Sequence, residues 1–302
     1  MRDAEHSTSL QAYFFLVVTA ACWGMNTIFG RLAVDAVSPM QLTMLRWFGV
    51  VILLLTFYRH QIAADWPILR QRLVYLALMG SCGFTLFNAL FYLAAHSTTA
   101  INIGILQGSI PIFVLLGSLL FLGYRIRLIQ AIGAVLTIVG VITIATAGNW
   151  MAIAQLDLNR GNLLMLIACF SYAAYSIGLS KRPQVGAISV FAVMALVAWI
   201  ASLPLLAIEI GIQGFSMPTA RGWIVAILVT LFPSFLAQVF FIKGVGLIGP
   251  GRAGVFINLV PVFASFLAVM ILGEQFHGYH AMALLLVLGG VGLSELGKPK
   301  PV

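Results

Sequence analysis

The sequence predicts an all-α polytopic membrane protein in which ten transmembrane helices form two inverted five-helix repeats. Hydrophobic residues make up 62% of the 302 residues and charged residues only 8%, so the chain lacks the polar surface of a soluble protein. Ten apolar stretches each reach the roughly 20 residues that a bilayer crossing requires. They fall into two weakly similar groups of five. Because five is odd, the second group must cross the membrane in the opposite orientation.

Short connections that carry turn-forming residues separate the predicted helices. The two predicted domains are a first repeat at 11–146 and a second, inverted repeat at 161–297. Their helices are predicted at 11–32, 39–58, 73–95, 98–122, 127–146, 161–180, 187–209, 222–243, 250–272 and 279–297. Ser38-Pro39 and Gly249-Pro250 are typical of the connections. The first apolar stretch is too long for a signal-peptide core and further spans follow it, so we expect a retained helix.

The Lys and Arg residues are distributed unequally between the two predicted membrane faces. Of the 16, only Arg31, Arg46, Arg160 and Arg221 fall on the face opposite the termini. Since basic residues are enriched in cytoplasmic connections, both termini are predicted to be cytoplasmic and the connection at 148–160 external. The formal net charge of +8 is thus explained by orientation. The basic residues form no stripe or aromatic-interleaved patch, so we expect no nucleic-acid partner.

Helix-breaking residues recur at an offset of 150 positions between the two halves. Gly83 in the third span corresponds to Pro233 in the eighth, and Pro111 in the fourth span corresponds to Pro261 in the ninth. Interrupted helices at matching positions of inverted halves indicate a substrate site and its moving parts. We therefore predict hinge or gating roles for these four residues. The alternative is that such residues are ordinary features of membrane helices.

Polar and amphipathic side chains inside the spans are the candidate substrate ligands, because polar groups are costly in a bilayer. The predicted set is Trp23, Asn26, Asn88, Tyr92, Tyr172, Tyr175 and Gln238. The amides offer neutral donors and acceptors, and Asn88 and Gln238 are equivalent at the 150-residue offset. The aromatic rings can stack on a substrate ring. As alternatives, the amides bridge neighbouring helices and the aromatic residues pack.

Arg46 and His96 are the other ionisable residues of interest. Arg46 lies about seven residues, or about 10 Å, inside the second span. It has three possible roles: snorkelling outward, hydrogen bonding to carbonyls at a helix break, or direct capture of a substrate carboxylate. We favour the first two. His96 lies at the outer end of the third helix, where we expect a solvated loop position rather than a titrating role.

Two glycine motifs predict turns and packing rather than nucleotide binding. Gly249-x-Gly251-x-x-Gly254 matches the dinucleotide fingerprint by letters, but it joins two membrane helices and has no preceding strand. We expect a turn there, with Gly254 allowing close helix packing. Gly104-x-x-x-Gly108 predicts a packing face in the fourth span, and the alternative is a surface along which helices slide.

The sequence indicates no cofactor, metal site or catalytic group. Cys22, Cys82 and Cys169 lie singly within apolar spans, without C-x-x-C spacing. The eight Asp and Glu residues lie at termini, in connections or near helix ends, so no carboxylate at mid-membrane suggests an ion-coupling site. A nucleophile with its base, paired aspartates and H-E-x-x-H are all absent, which argues against a membrane-embedded enzyme. A channel would require a polar pore and usually an oligomeric ring of filter residues, whereas this chain has an internal two-fold organisation, which argues against a channel.

Several short motifs occur in order along the chain. They are Trp23-Gly24 with Asn26, Pro39 followed by Leu45-Arg46-Trp47, Pro111-Ile112-Phe113, Pro261-Val262-Phe263 and Leu272-Gly273-Glu274. This ordered set of motifs resembles the EamA-type branch of the drug/metabolite transporter superfamily, and the resemblance covers nearly the whole chain. Within that branch, the sequence as a whole is most similar to bacterial exporters of aromatic and other amino acids. One position departs from the family pattern. The first half has Leu122-Gly123-Tyr124-Arg125, where the family more often has Glu after Gly, so Glu274 has no counterpart there.

The resemblance implies a multi-pass carrier in the bacterial cytoplasmic (inner) membrane. We expect it to export small amphipathic metabolites, above all aromatic and other neutral amino acids, by alternating access. Its expected partners are a small-molecule substrate and the lipid bilayer. The alternative is an exporter or importer of another small metabolite or drug within the same superfamily.

Overall fold

The structure is a computed structural model that describes residues 2–122, 127–149 and 159–296. Of residues 2–9, 122, 250 and 251 it describes the backbone alone. Every regular element within these ranges is helical, in agreement with the predicted all-α class.

The helices follow one another with short connections. In the first half, α1 is Arg2–Ala33, α2 is Pro39–Leu69, α3 is Leu73–Gly80, α4 is Phe87–Ala95, α5 is Ala100–Gln107, α6 is Ile110–Leu122 and α7 is Leu128–Ala145. In the second half, α8 is Arg160–Gly178, α9 is Ala187–Gln213, α10 is Ala220–Val229, α11 is Ala237–Ile248, α12 is Pro250–Ile257, α13 is Val260–Leu272 and α14 is Gly278–Leu296. Short 3₁₀ turns cover Arg70–Arg72 and Leu179–Lys181, and π-helical segments cover Ser81–Leu86 and Thr230–Leu236.

Nine helical runs within the described ranges are long and apolar enough to cross a membrane. One of them, Pro39–Ala95, has 57 residues and would be about 85 Å long if straight, against a hydrocarbon core of about 30 Å. It folds back on itself, because Arg46 and Asn88 are hydrogen-bonded at 2.6 Å although 42 positions apart. The backbone turns at Arg72 (φ −122°, ψ 24°). Helix continues where the sequence predicted a connection at 59–72, since residues 59–66 contain no glycine or proline.

Four departures from α-helical geometry occur at the predicted weak points. Gly83 lies in the first π-helical segment and Pro233 in the second. Pro111 and Pro261 lie one residue after the starts of α6 and α13, directly behind two-residue turns that end α5 and α12. A proline is tolerated in the first turn of a helix, where its missing N–H has no intrahelical partner. A hinge role for these four residues stays a prediction.

Small residues allow several helices to pack at close backbone distance. An added Cβ at Gly104 would clash with Ala264, and one at Gly108 would lie 2.5 Å from Val287, which confirms the predicted packing face. Gly133 of α7 and Gly290 of α14 each face the carbonyl oxygen of the other. Such close approach excludes any larger residue.

The prediction for Gly254 was wrong, although the predicted turn before it is present. Gly249 has a φ of +81°, which favours glycine, and it ends α11. An added Cβ at Gly254 would meet nothing within 4 Å. The reason is that this side of α12 borders open space: its neighbour Val255 is 52% exposed.

Candidate functional site

Arg46 is buried in the interior of the bundle with only 5% of its surface exposed. Ser38 caps the start of α2, and Arg46 follows about two turns later. The guanidinium Nη1 donates to Asn88 Oδ1 at 2.6 Å, to Tyr92 Oη at 2.8 Å and to Asn26 Oδ1 at 3.2 Å. Arg46 therefore neither snorkels outward nor binds a broken helix's carbonyls, and the two roles that we favoured from sequence were wrong.

The remaining side of the guanidinium is not satisfied. All three hydrogen bonds use Nη1, whereas Nε is buried and has no hydrogen-bond partner. The partners are neutral, and no ion pair to Arg46 occurs within the described ranges. The indole Nε1 of Trp47, the next residue, is also buried without an acceptor. Neither Arg46 Nε nor Trp47 Nε1 has an acceptor within the described residues. Burying donors without acceptors, above all on a charged group, costs free energy.

An aromatic cluster adjoins the guanidinium. Its carbon Cζ lies 5.3 Å from the centre of the Trp47 ring, within cation–π distance. Trp47 stacks on Phe84 with centroids 4.6 Å apart, Phe84 lies 5.4 Å from Tyr175, and Tyr175 lies 5.2 Å from Tyr172. The cluster thus links α2, the first π-helical segment and α8. We call Arg46, Asn26, Asn88, Tyr92 and these aromatic residues the Arg46 site.

Five of the seven predicted ligands belong to the Arg46 site, but Trp23 and Gln238 do not. Trp23 donates from Nε1 to the carbonyl of Pro233 at 3.1 Å and lies 5.3 Å from the Phe241 ring. Gln238 is half-buried on α11, and no hydrogen bond joins it to Arg46 in the described part of the chain. The expected equivalence with Asn88 is lost because the second half offers no matching guanidinium. At repeat offsets of 147 and 150, Arg46 corresponds to positions 193 and 196, and residues 193–196 are all apolar.

Both π-helical segments contact the Arg46 site. The Thr230 hydroxyl, in the second segment, donates to the backbone carbonyl of Arg46 at 3.4 Å. In the first, Phe84 O accepts the Asn88 amide at 2.6 Å, and Gly83 faces the Tyr175 ring so closely that an added Cβ would clash. π-Helical segments often occur at functional sites, and here they flank the one buried guanidinium seen in the described residues.

A second polar group, whose contacts the sequence analysis did not predict, lies at one end of the bundle. Glu274 accepts the backbone N–H groups of Ala100 at 2.8 Å and Ile101 at 3.0 Å, at the start of α5. A carboxylate is favourable there because it meets free N–H groups and the positive end of the helix dipole. Below it, His280 Nε2 lies 3.2 Å from Asn102 Oδ1. We call these residues the polar latch; the Leu272-Gly273-Glu274 motif was its only sequence signal.

His96 lies at the same end of the bundle, directly after α4, and is exposed, as predicted. Partial desolvation lowers its pKa, and the positive charge of Arg31 acts in the same direction. The carboxylates of Asp35 and Glu209 oppose this effect.

Comparison with known proteins identifies similar sequences along almost the whole chain. The pattern of the EamA-like transporter family matches residues 10–146 and again residues 159–295. The Bacillus subtilis "Uncharacterized transporter YetK" is 27% identical over 295 residues, covering 96% of this chain and 88% of that protein. A "Probable amino-acid metabolite efflux pump" of Salmonella typhimurium is 26% identical, covering 94% of each chain.

A solved crystal structure shares the fold. It superimposes with a TM-score of 0.59 and covers 96% of this chain and 98% of its own, at 19% sequence identity. At that identity the likeness supports the architecture and not a substrate.

Proposed function

This chain belongs to the EamA-like transporter family, and we propose that within this family it exports aromatic and other neutral amino acids by alternating access. The matched relatives are named transporters, which supports a carrier rather than an enzyme. The family also implies a small-molecule substrate and a multi-pass position in the membrane.

We propose ten spans in two inverted repeats, at 11–146 and 161–297. The folded-back run Pro39–Ala95 supplies two crossings, which raises the nine helical candidates of the described ranges to ten. The two π-helical segments and the two turns before Pro111 and Pro261 recur at the same 150-residue offset. The two family matches divide the chain in nearly the same way. Inverted repeats of this kind place the substrate near the bilayer midplane.

The observation that carries the proposed substrate is the Arg46 site itself. It combines amide and phenol groups with a row of aromatic rings, between two interrupted helices of an otherwise apolar bundle. Such a surface suits a small molecule with a polar head and a flat apolar body. Amino acids are favoured by the name of the Salmonella relative. Trp23 and Gln238 stay in the proposed set as residues of the pathway beside Pro233.

We further propose that both termini face the cytoplasm of a bacterial inner membrane, with the latch end outside. The support is the unequal distribution of Lys and Arg residues. The bundle end that bears the latch carries few of them. A cysteine placed near the C-terminus, on a background without Cys22, Cys82 and Cys169, should be labelled from the cytoplasmic side alone.

Counterflow into liposomes tests the carrier activity. Liposomes with purified protein are preloaded with unlabelled phenylalanine, and labelled phenylalanine is added outside. We expect transient accumulation of label above equilibrium, whereas a channel would give the same uptake without preloading. Preloading with other amino acids, and with unrelated metabolites or drugs, tests the alternative substrate classes. Absence of counterflow for every amino acid would overturn the proposed substrate.

A variant pair connects this activity to the site. Asn88→Leu removes a hydrogen-bonding amide from the Arg46 site, and we expect it to raise the half-saturation concentration several-fold, since one hydrogen bond contributes on the order of 1 kcal/mol. Thr56→Val is the matched control, because Thr56 is exposed on α2 and its one hydrogen bond among the described residues goes to the Ile52 carbonyl of its own helix. Equal kinetics in both variants would make Asn88 structural.

A further inference from the structure

The Arg46 guanidinium has more N–H donors than its protein neighbours accept. Nη1 alone makes the bonds that join α1, α2 and α4. A purely structural bridge would need no more than this one nitrogen. The opposite edge of the guanidinium, with its buried Nε, is the edge that accepts a carboxylate in a two-bond fork.

The carboxylates in the described part of the chain are committed elsewhere or lie away from Arg46. Glu274 accepts the N–H groups at the start of α5, and Glu209 bonds to Ser38 and the Met40 N–H near the start of α2. Asp65 accepts the Gly186 N–H at 3.2 Å, at the other end of the bundle. The charge of Arg46 is therefore not neutralised by the described protein groups, and an anionic ligand would offset the cost of burying the unpaired Nε.

We propose that the Nε side of Arg46 binds the carboxylate of the transported molecule and that the aromatic cluster receives its ring. This step rests on the proposed carrier activity, and it makes the substrate class an aromatic carboxylate. The Arg46 site presents no carboxylate to an ammonium group. An α-amino group is therefore dispensable for binding, whereas the carboxylate is required.

Three ligands that differ by one group each test this assignment on the unaltered protein. Full-length protein in detergent is titrated calorimetrically with phenylalanine, with 3-phenylpropionate, which lacks the amino group, and with phenethylamine, which lacks the carboxylate. We expect 3-phenylpropionate to bind within about threefold of phenylalanine. Phenethylamine should bind at least about tenfold more weakly, as the loss of a charge-assisted hydrogen bond predicts.

Variants at Arg46 provide the second readout. Arg46→Gln should weaken both carboxylates by about tenfold or more and leave phenethylamine unchanged. Arg46→Lys should give an intermediate loss, because a lysine keeps the charge but not the planar fork. Arg221→Gln is the matched control: Arg221 is exposed, donates to the Val34 carbonyl at 2.9 Å, and should bind all three ligands as wild type does. If Arg46→Gln fails to fold, Arg46→Lys and the wild-type ligand series still decide.

The possible outcomes separate this assignment from the proposed function. Counterflow of phenylalanine together with tight binding of phenethylamine would overturn the role of Arg46 and leave the carrier activity standing. Binding of 3-phenylpropionate that depends on Arg46, without counterflow of any amino acid, would support the carboxylate site and overturn amino-acid export. Failure of all three ligands to bind would overturn the assignment.

Discussion

The starts of α5 and α12 correspond at the 150-residue offset, yet they are built differently. At α5, Thr99 caps the helix and Glu274 accepts two further N–H groups. At α12, Gly249 provides no side-chain cap, and in the described part of the chain the missing N–H of Pro250 is what reduces the number of free donors. Four residues into each helix the contrast recurs, because Gly104 packs tightly on Ala264 whereas Gly254 borders open space.

This comparison shows that a sequence repeat does not impose equal packing on its two copies. The start of α5 is held by a carboxylate and by close helix contact, while within the described residues the start of α12 has no carboxylate cap and Gly254 makes no such contact. Under the proposed alternating access, we interpret the first arrangement as a closed gate and the second as a side that opens. The missing carboxylate corresponds to Tyr124, which lies outside the described residues.

The largest expected effect is that of Glu274→Ala. It removes both charge-assisted hydrogen bonds at the start of α5, and we expect a loss of about 2–3 kcal/mol in the free energy of unfolding. Thermal unfolding of the purified protein measures this loss. A cysteine placed near residue 100 should also become more accessible to labelling reagents in this variant. An unfolding free energy equal to that of the wild type would show that the latch has no special weight.

A smaller effect separates the two glycines. Gly104→Ala forces Cβ against Ala264 and should destabilise the protein by about 1–2 kcal/mol, as overpacking does. Gly254→Ala meets open space and should be neutral or stabilising by up to about 1 kcal/mol, through the better helix propensity of alanine. Thermal midpoints of the two variants test this directly. Similar midpoints would mean that the two helices are packed alike.

A weaker effect is expected from restoring the missing carboxylate. Tyr124→Glu introduces an acid at the sequence position equivalent to Glu274. The repeat predicts that this acid meets the start of α12, where an anion contributes about 0.3–1 kcal/mol. We expect slower counterflow, because the free end gains a latch, with Tyr124→Gln as the uncharged control. Unchanged rates in both would indicate that α12 moves without regard to its cap.

The smallest expected effect depends on pH. Since the pKa of His96 is lowered in the folded protein, its neutral form adds stability above the unfolded pKa of about 6.5, and this stability is lost as the pH falls through the folded value. From about pH 7.5 to about pH 5, wild type should lose slightly more thermal stability than His96→Gln. If the thermal stability of the two proteins changed equally with pH, the protonation of His96 would make no contribution to stability.

The helical class, most of the spans and the places where helices are interrupted follow from the amino-acid sequence alone. Apolar length sets a span whatever its neighbours are, and a proline or glycine weakens a helix through its own backbone chemistry. Gly83 and Pro233 were therefore identifiable without tertiary information, and so were the candidate ligands Asn88 and Tyr92, as rare polar groups in apolar helices.

Which of these polar groups meet depends on how the helices pack against one another. Arg46 joins Asn26, Asn88 and Tyr92 across three helices, while Gln238 is left outside, because side-chain partnership depends on how the helices are rotated and how deeply each residue sits. The same holds for Glu274, which accepts the N–H groups of Ala100 and Ile101, 174 and 173 positions away in sequence. Local pattern fixes each helix's own geometry, but the pairing of polar groups is a property of the packed bundle.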